Sequence, residues 1–158
     1  MANIPVARDL QSQQYKHDMK NHFDIISLSR VDRLKHYGLH FAKYSGRLVR
    51  GENEKIPVRR TAVDILLVCL SSANALNQKL VFDSSVPASI LNYTDYSGRF
   101  CDACEKIDHL ENFREIALEA NQNIFSWVLI FFEENNINIE DSLRDRRREL
   151  EDRLPYSV

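Results

Sequence analysis

Apolar residues recur along this chain mostly at helical spacing. From about Ser29 to Val49, Val31, Leu34, Phe41, Ser45 and Leu48 fall on one stripe, with Ala42 and Val49 beside it, which predicts an amphipathic helix. Ser27 or Ser29 supplies a cap, and Gly51 and Pro57 bracket the polar turn Glu52-Asn53-Glu54-Lys55. A second helix is predicted over about Val58 to Leu76. Its middle, Ile65 to Leu70, is apolar on every side, as in a helix at the centre of a bundle or in a subunit interface. Six apolar residues alone also suit a buried strand, but the flanks and the Ala73-Asn74-Ala75-Leu76 continuation favour helix.

Residues 77–95, with Asp83, Ser84, Ser85, Pro87 and Asn92, read as a linker. A short amphipathic helix is expected over about 96–108. A long one follows from about Glu111 to Glu134, with Phe113, Ile116, Ala117, Ala120, Ile124, Trp127, Val128 and Phe131 on its core face. Glu140 to Arg153 predicts a charged surface helix with Leu143 and Leu150 inward, acidic at its N-terminal end as the helix dipole favours, and stopped by Pro155. Residues 1–22, with Pro5 and several glutamines, show no firm core face and read as a polar arm or short helix, leaving 23–158 as one domain.

Tyr44-Ser45-Gly46-Arg47 returns as Tyr96-Ser97-Gly98-Arg99, each copy leading through a charged stretch into a long helix with a very apolar middle. The two long helices run into Asn77-Gln78-Lys79-Leu80 and Asn136-Ile137-Asn138-Ile139. This echo suggests two helical hairpins related by duplication, within an all-α bundle of four to six helices.

Composition narrows the class further. The 158 residues are enough for one domain with its own core, and only 4 Gly and 4 Pro argue against a turn-rich β fold. A net charge of -2 argues against a broad basic face for nucleic acid. Three cysteines are too few for a disulfide scaffold and read as reduced thiols. The longest apolar runs, Ile65–Leu70 and Trp127–Phe132, fall far short of the roughly 20 residues a membrane span requires. With no signal-like N-terminus, the expectation is a cytoplasmic protein. The all-round apolar segments at Ile65–Leu70 and Ile124–Phe132 predict a homodimer.

The run from Arg33 through Lys35-His36-Tyr37-Gly38-Leu39-His40-Phe41-Ala42-Lys43 to Tyr44-Ser45-Gly46-Arg47-Leu48-Val49 resembles the first helix of the MazG-like all-α nucleoside triphosphate pyrophosphohydrolases. Val63 to Asn77 resembles their second helix, and Asn136 to Leu143 with the Arg-rich sequence after it resembles the end of their domain. The resemblance covers most of 30–155, in pattern more than in identity. It implies a helical bundle that hydrolyses a nucleoside triphosphate to monophosphate and pyrophosphate with Mg²⁺. In the family the ion is held by a Glu-x-x-Glu pair and a later Glu-x-x-Asp pair. Carboxylates at such spacing share a helix face, and two such faces make a hard oxygen cage that neutralises phosphate charge and activates water.

The chain departs from this pattern in its first half. The positions matching the family's first pair are Tyr44 and Arg47, and those matching the second are Thr61 and Asp64, so only Asp64 is acidic. Acids return in the second half as Asp102-x-x-Glu105 and Glu115-x-x-x-Glu119. The resemblance then implies a metal set of Asp102, Glu105, Glu115 and Glu119 with Asp64, catalysis by Glu115 and Glu119, and phosphate contacts from Lys43, Arg47 and Arg99. If those acids do not converge, the chain is instead a binding or assembly module.

Other constellations are weaker. Cys101-x-x-Cys104 with His109 is an incomplete zinc pattern. His36 and His40 share a helix face, and with His17 or His22 they form a candidate metal or interface cluster. Arg30 and Arg33 precede them at a spacing similar to the Arg-x(4–6)-His motif of HEPN ribonucleases, where Arg and His stabilise phosphate charge and move protons during RNA cleavage. Two arginine groups, Arg144 with Arg146 to Arg148 and Arg47 with Arg50, Arg59 and Arg60, are candidate phosphate contacts, since no Gly-rich phosphate loop is present.

Overall fold

The computed structural model describes residues 7–152, and within them every regular element is helical. Pro5, Arg153 and Pro155, used above to read the two ends of the chain, lie outside the described residues. The elements are α1 (Ala7–Asn21), α2 (Phe23–Ile26), α3 (Arg30–Arg50), a 3₁₀ turn (Gly51–Asn53), α4 (Val58–Leu76), α5 (Ile90–Asp108), α6 (Arg114–Glu134) and α7 (Ile139–Glu151). Among the described residues no helix is long and apolar enough to cross a membrane.

The helix ends follow local chemistry. Ser29 Oγ accepts from the Asp32 amide at 3.1 Å and starts α3. Ser89 and Asn138 cap α5 and α7 in the same way. The Ser89 cap places the start of α5 at Ile90, a turn and a half before the stripe that suggested about 96. Asn77 closes α4 in the left-handed region at φ 52°, a conformation asparagine tolerates better than most side chains.

Four long helices, α3 to α6, make the bundle. α3 and α4 form one hairpin and α5 and α6 the other. α3 faces α5, α4 faces α6, and α1 and α7 flank α4. The apolar middle of α4 is buried, with Ile65, Leu66, Cys69 and Leu70 at 0% exposure. On α6, Ile124, Phe125, Trp127, Val128 and Phe132 are equally enclosed. The burial that motivated a homodimer is therefore met within the chain.

The two hairpins stand in an approximate two-fold relation. In antiparallel equivalent helices a residue meets its own equivalent only near such an axis, and α3 runs antiparallel to α5, with Leu34 against Cys104 and Gly38 against Cys101. Cys69 on α4 and Asn121 on α6 lie 52 residues apart, the same separation as Tyr44 and Tyr96 in the echoed motif. Asn121 Nδ2 donates to the Cys69 carbonyl at 3.1 Å, and Cys69 Sγ donates to the Asn121 carbonyl at 3.4 Å. Between α3 and α5, the Tyr93 hydroxyl donates to the Phe41 carbonyl at 3.0 Å across that same separation of 52.

Two expectations need correction. The stripe on α3 is rotated: Tyr37, Gly38 and Tyr44 are buried with Leu34, Phe41 and Leu48, whereas Ala42 and Val49 are exposed. The tyrosines, polar by their hydroxyls, occupy core positions because most of each ring is apolar. The N-terminal segment takes the helix of its two alternatives, but against the expected lack of a core face it packs, with Leu10, Gln14, His17 and Asp18 buried and α1 against α4. Its buried stripe is mostly polar, so hydrophobic periodicity does not reveal it.

Candidate functional site

The second-half acids lie on the surface. Asp102, Glu105, Glu115 and Glu119 are all exposed. Helix α5 turns Cys101 and Cys104 toward α3, where their thiols donate to the carbonyls of Gly38 and Leu34 at 3.4 and 3.3 Å. That orientation leaves Asp102 and Glu105 outward. Glu105 Oε1 sits 2.7 Å from His109 Nε2, and Lys106 lies in the field of both acids while bonding Glu111 at 3.0 Å. Arg99 pairs with Asp95 at 2.9 Å, with Glu119 in its field. Among the described residues no group of three or more His, Cys, Asp or Glu side chains is arranged to hold a metal ion. Burial raises the thiol of Cys104 to about 12, so it is not a ready thiolate ligand.

A different set converges. A cavity of about 340 Å³ opens between α1, α2, α3, α4 and α7. Along α3, His36, His40, Tyr44 and Arg47 line it from successive turns of one face. The opposite wall is α4, with Arg60, Asp64, Leu67 and Ser71. Of the residues expected to bind substrate or metal, Lys43, Arg47 and Asp64 meet here, whereas Arg99 lies on α5. Arg30 and Arg33 do not line the cavity with the two histidines.

One end of the cavity is cationic. Asp64 Oδ1 accepts from Arg146 Nε at 2.7 Å, and its Oδ2 lies 3.6 Å from Arg47 Nη1. Arg146 also holds Glu149 at 2.8 Å. The one acid kept from the family's pattern is thus already neutralised by two guanidinium groups. A Mg²⁺ ion would have to displace them, so the residues present here do not fit a resident divalent cation. Lys43 and Arg47 also stand over the Tyr44 ring, at 4.9 and 5.4 Å from its centre. Arg60 at the mouth makes no side-chain ion pair or hydrogen bond among the described residues.

The histidines form a chain. Lys43 Nζ lies 3.1 Å from His40 Nδ1, and the Tyr44 hydroxyl lies 3.2 Å from the same atom. An ammonium can only donate, so Nδ1 of His40 is the acceptor and its hydrogen sits on Nε2. That Nε2 faces Nε2 of His36 at 3.0 Å, which must then accept. Burial, then the charges of Lys43, His36 and Arg47, lower the pKa of His40 to about 4. Burial also lowers that of His36, against the pull of Asp24. Both rings are neutral at neutral pH.

The other end is acidic and escaped sequence reading. Asp18 is 5% exposed, with Oδ2 accepting from Ser71 Oγ at 2.6 Å and Oδ1 from Gln14 Nε2 at 2.9 Å. Burial raises its pKa. Asp24 Oδ1 is buried without a hydrogen-bond partner. The only signal for Asp18 was its place on a buried polar stripe, visible once α1 is seen to pack.

No protein-family model, curated protein or solved structure matches this chain.

Proposed function

We propose that this chain is a nucleotide-binding module, a MazG-like helical bundle in which arginine and histidine hold the phosphate without Mg²⁺. The observation that carries the reading is the state of Asp64. Arg146, shared with Glu149, and Arg47 compensate its charge, while Arg60 lines the same cavity with no side-chain ion pair among the described residues, so this end is net cationic. Guanidinium groups bind phosphate oxygens in a bidentate fork, and partial burial strengthens the attraction. Within the neutral His36–His40 pair the uncommitted hydrogen sits on His36 Nδ1, and the pair gains charge when an anion arrives.

The test is calorimetric titration with nucleoside mono- and triphosphates in EDTA, with wild type, Arg60→Ala and Arg47→Ala. The expected result is metal-independent binding that weakens about tenfold or more in each variant. Arg60 is exposed, so its variant reports binding and not folding. Absence of binding overturns the reading, as does binding that requires Mg²⁺ and ignores Arg60. Release of pyrophosphate in Mg²⁺, lost in Glu115→Gln or Glu119→Gln, would instead make the chain a hydrolase working on its second hairpin.

A further inference from the structure

We infer that the Tyr37 hydroxyl reads the base of the bound nucleotide, hydrogen-bonding its polar edge while the phosphate sits among the arginines. This rests on the phosphate reading of the cationic end. Tyr37 lines the cavity from α3 and is 4% exposed. The Tyr93 hydroxyl donates to the Phe41 carbonyl and that of Tyr44 meets His40 Nδ1, but the Tyr37 hydroxyl has no hydrogen-bond partner among the described residues. It is not sealed either: the hydroxyl keeps accessible surface, and in so enclosed a residue that surface opens on the cavity. Burial, then the charge of Asp18, raises its pKa against the pull of Arg33. The group is therefore a neutral phenol, with a hydrogen to give and lone pairs to receive. A buried tyrosine hydroxyl ordinarily finds a partner, and leaving it without one is costly. Neighbouring Asp18 does not serve, because its oxygens are taken by Ser71 and Gln14. A ligand group in the cavity supplies the partner.

The spacing follows from α3. Tyr37 lies two turns before Tyr44, about 10 Å along the helix axis. Tyr44 stands at the cationic end, in the field of Asp64 and beneath the Arg47 guanidinium. A phosphate held there does not reach Tyr37, so a sugar and a base span the interval. Leu67 and Val68 of α4, with Ile25 and Ile26 of α2, give the same cavity apolar walls. A nucleobase has apolar faces and a polar edge. A site that reads one packs the faces against apolar side chains and hydrogen-bonds the edge, and this cavity offers both.

The test titrates the monophosphates of adenosine, guanosine, cytidine and uridine against ribose 5-phosphate, in EDTA at neutral pH, with wild type and Tyr37→Phe. At least one nucleotide should bind about tenfold more tightly than ribose 5-phosphate, which carries the phosphate and sugar without a base. Tyr37→Phe keeps the ring and should cut that advantage about fivefold, leaving ribose 5-phosphate within about twofold. Because the hydroxyl has no partner in the free protein, the variant should melt no lower than wild type. A lower melting temperature would reveal a structural partner and overturn the inference. Nucleotides that bind no better than ribose 5-phosphate overturn it and leave the phosphate site standing. So does an advantage that survives Tyr37→Phe, or a variant that weakens ribose 5-phosphate as much as the nucleotides. Failure of every compound to bind overturns the phosphate reading and this inference together.

Discussion

Cys69 and Asn121 clasp each other's backbone across the α4–α6 interface, each side group donating to the other's carbonyl. The pair marks the centre of the approximate two-fold relation between the hairpins. Asn121 is fully buried and also donates to Gln78 Oε1 at 2.9 Å. Asn121→Ala removes both donations, one to the helical Cys69 carbonyl and one to the part-buried Gln78 Oε1, and should cost about 1–3 kcal/mol. Urea unfolding monitored by circular dichroism checks this, and a change below about 0.5 kcal/mol would remove the clasp from the account of stability.

Asp64→Asn should be more damaging than a surface charge change. It leaves Arg146 and Arg47 together with half of their compensation gone, and the expected loss is about 2–4 kcal/mol. Inorganic phosphate at millimolar concentration should restore part of that stability by binding only the folded form. A thermal melt of the variant with and without phosphate reads both effects. Equal melting temperatures in the two conditions would contradict an anion site at this end.

Acid should weaken the fold through His17 and His40, each held to about 4 when folded. The unfolded chain takes up a proton near the ordinary histidine value of about 6.5. Between those values the unfolded state binds more protons, so stability contributed by the neutral rings is complete above about 6.5 and falls as the pH drops toward 4. His40→Gln should show a smaller loss of urea stability than wild type between pH 7 and 4.5. Identical losses would mean that His40 is not held neutral.

Trp127 is the only tryptophan in the sequence and is 0% exposed. Its Nε1 donates to the Ser89 carbonyl at 2.8 Å, tying α6 to the N-terminal cap of α5, and its ring stacks on Phe131. Its fluorescence should lie well to the blue of the unfolded chain's. Trp127→Phe should cost about 1–3 kcal/mol, because the Ser89 carbonyl keeps only the Tyr93 amide as donor and a smaller ring leaves a gap. Native emission as red as that of the urea-unfolded chain would contradict this packing.

The sequence by itself determined the helices and much of their order. The α4 boundaries, the long α6 and the echoed Tyr-Ser-Gly-Arg all follow from local periodicity and end signals, which act between residues a few positions apart. The arginines near the first hairpin were legible too, because Arg47 and Arg60 flank one turn. Tertiary structure decided the rest. Which face of α3 turns inward depends on α5, whose Cys101 and Cys104 seek α3 carbonyls. Asp64 reads as a metal ligand in sequence, yet α7 brings Arg146 to it from 82 residues away. Asp18 became a pocket wall only when α1 packed on α4 and met Ser71, 53 residues further along. Charge pairing and burial act through space, and no local pattern encodes which distant helix will supply the partner.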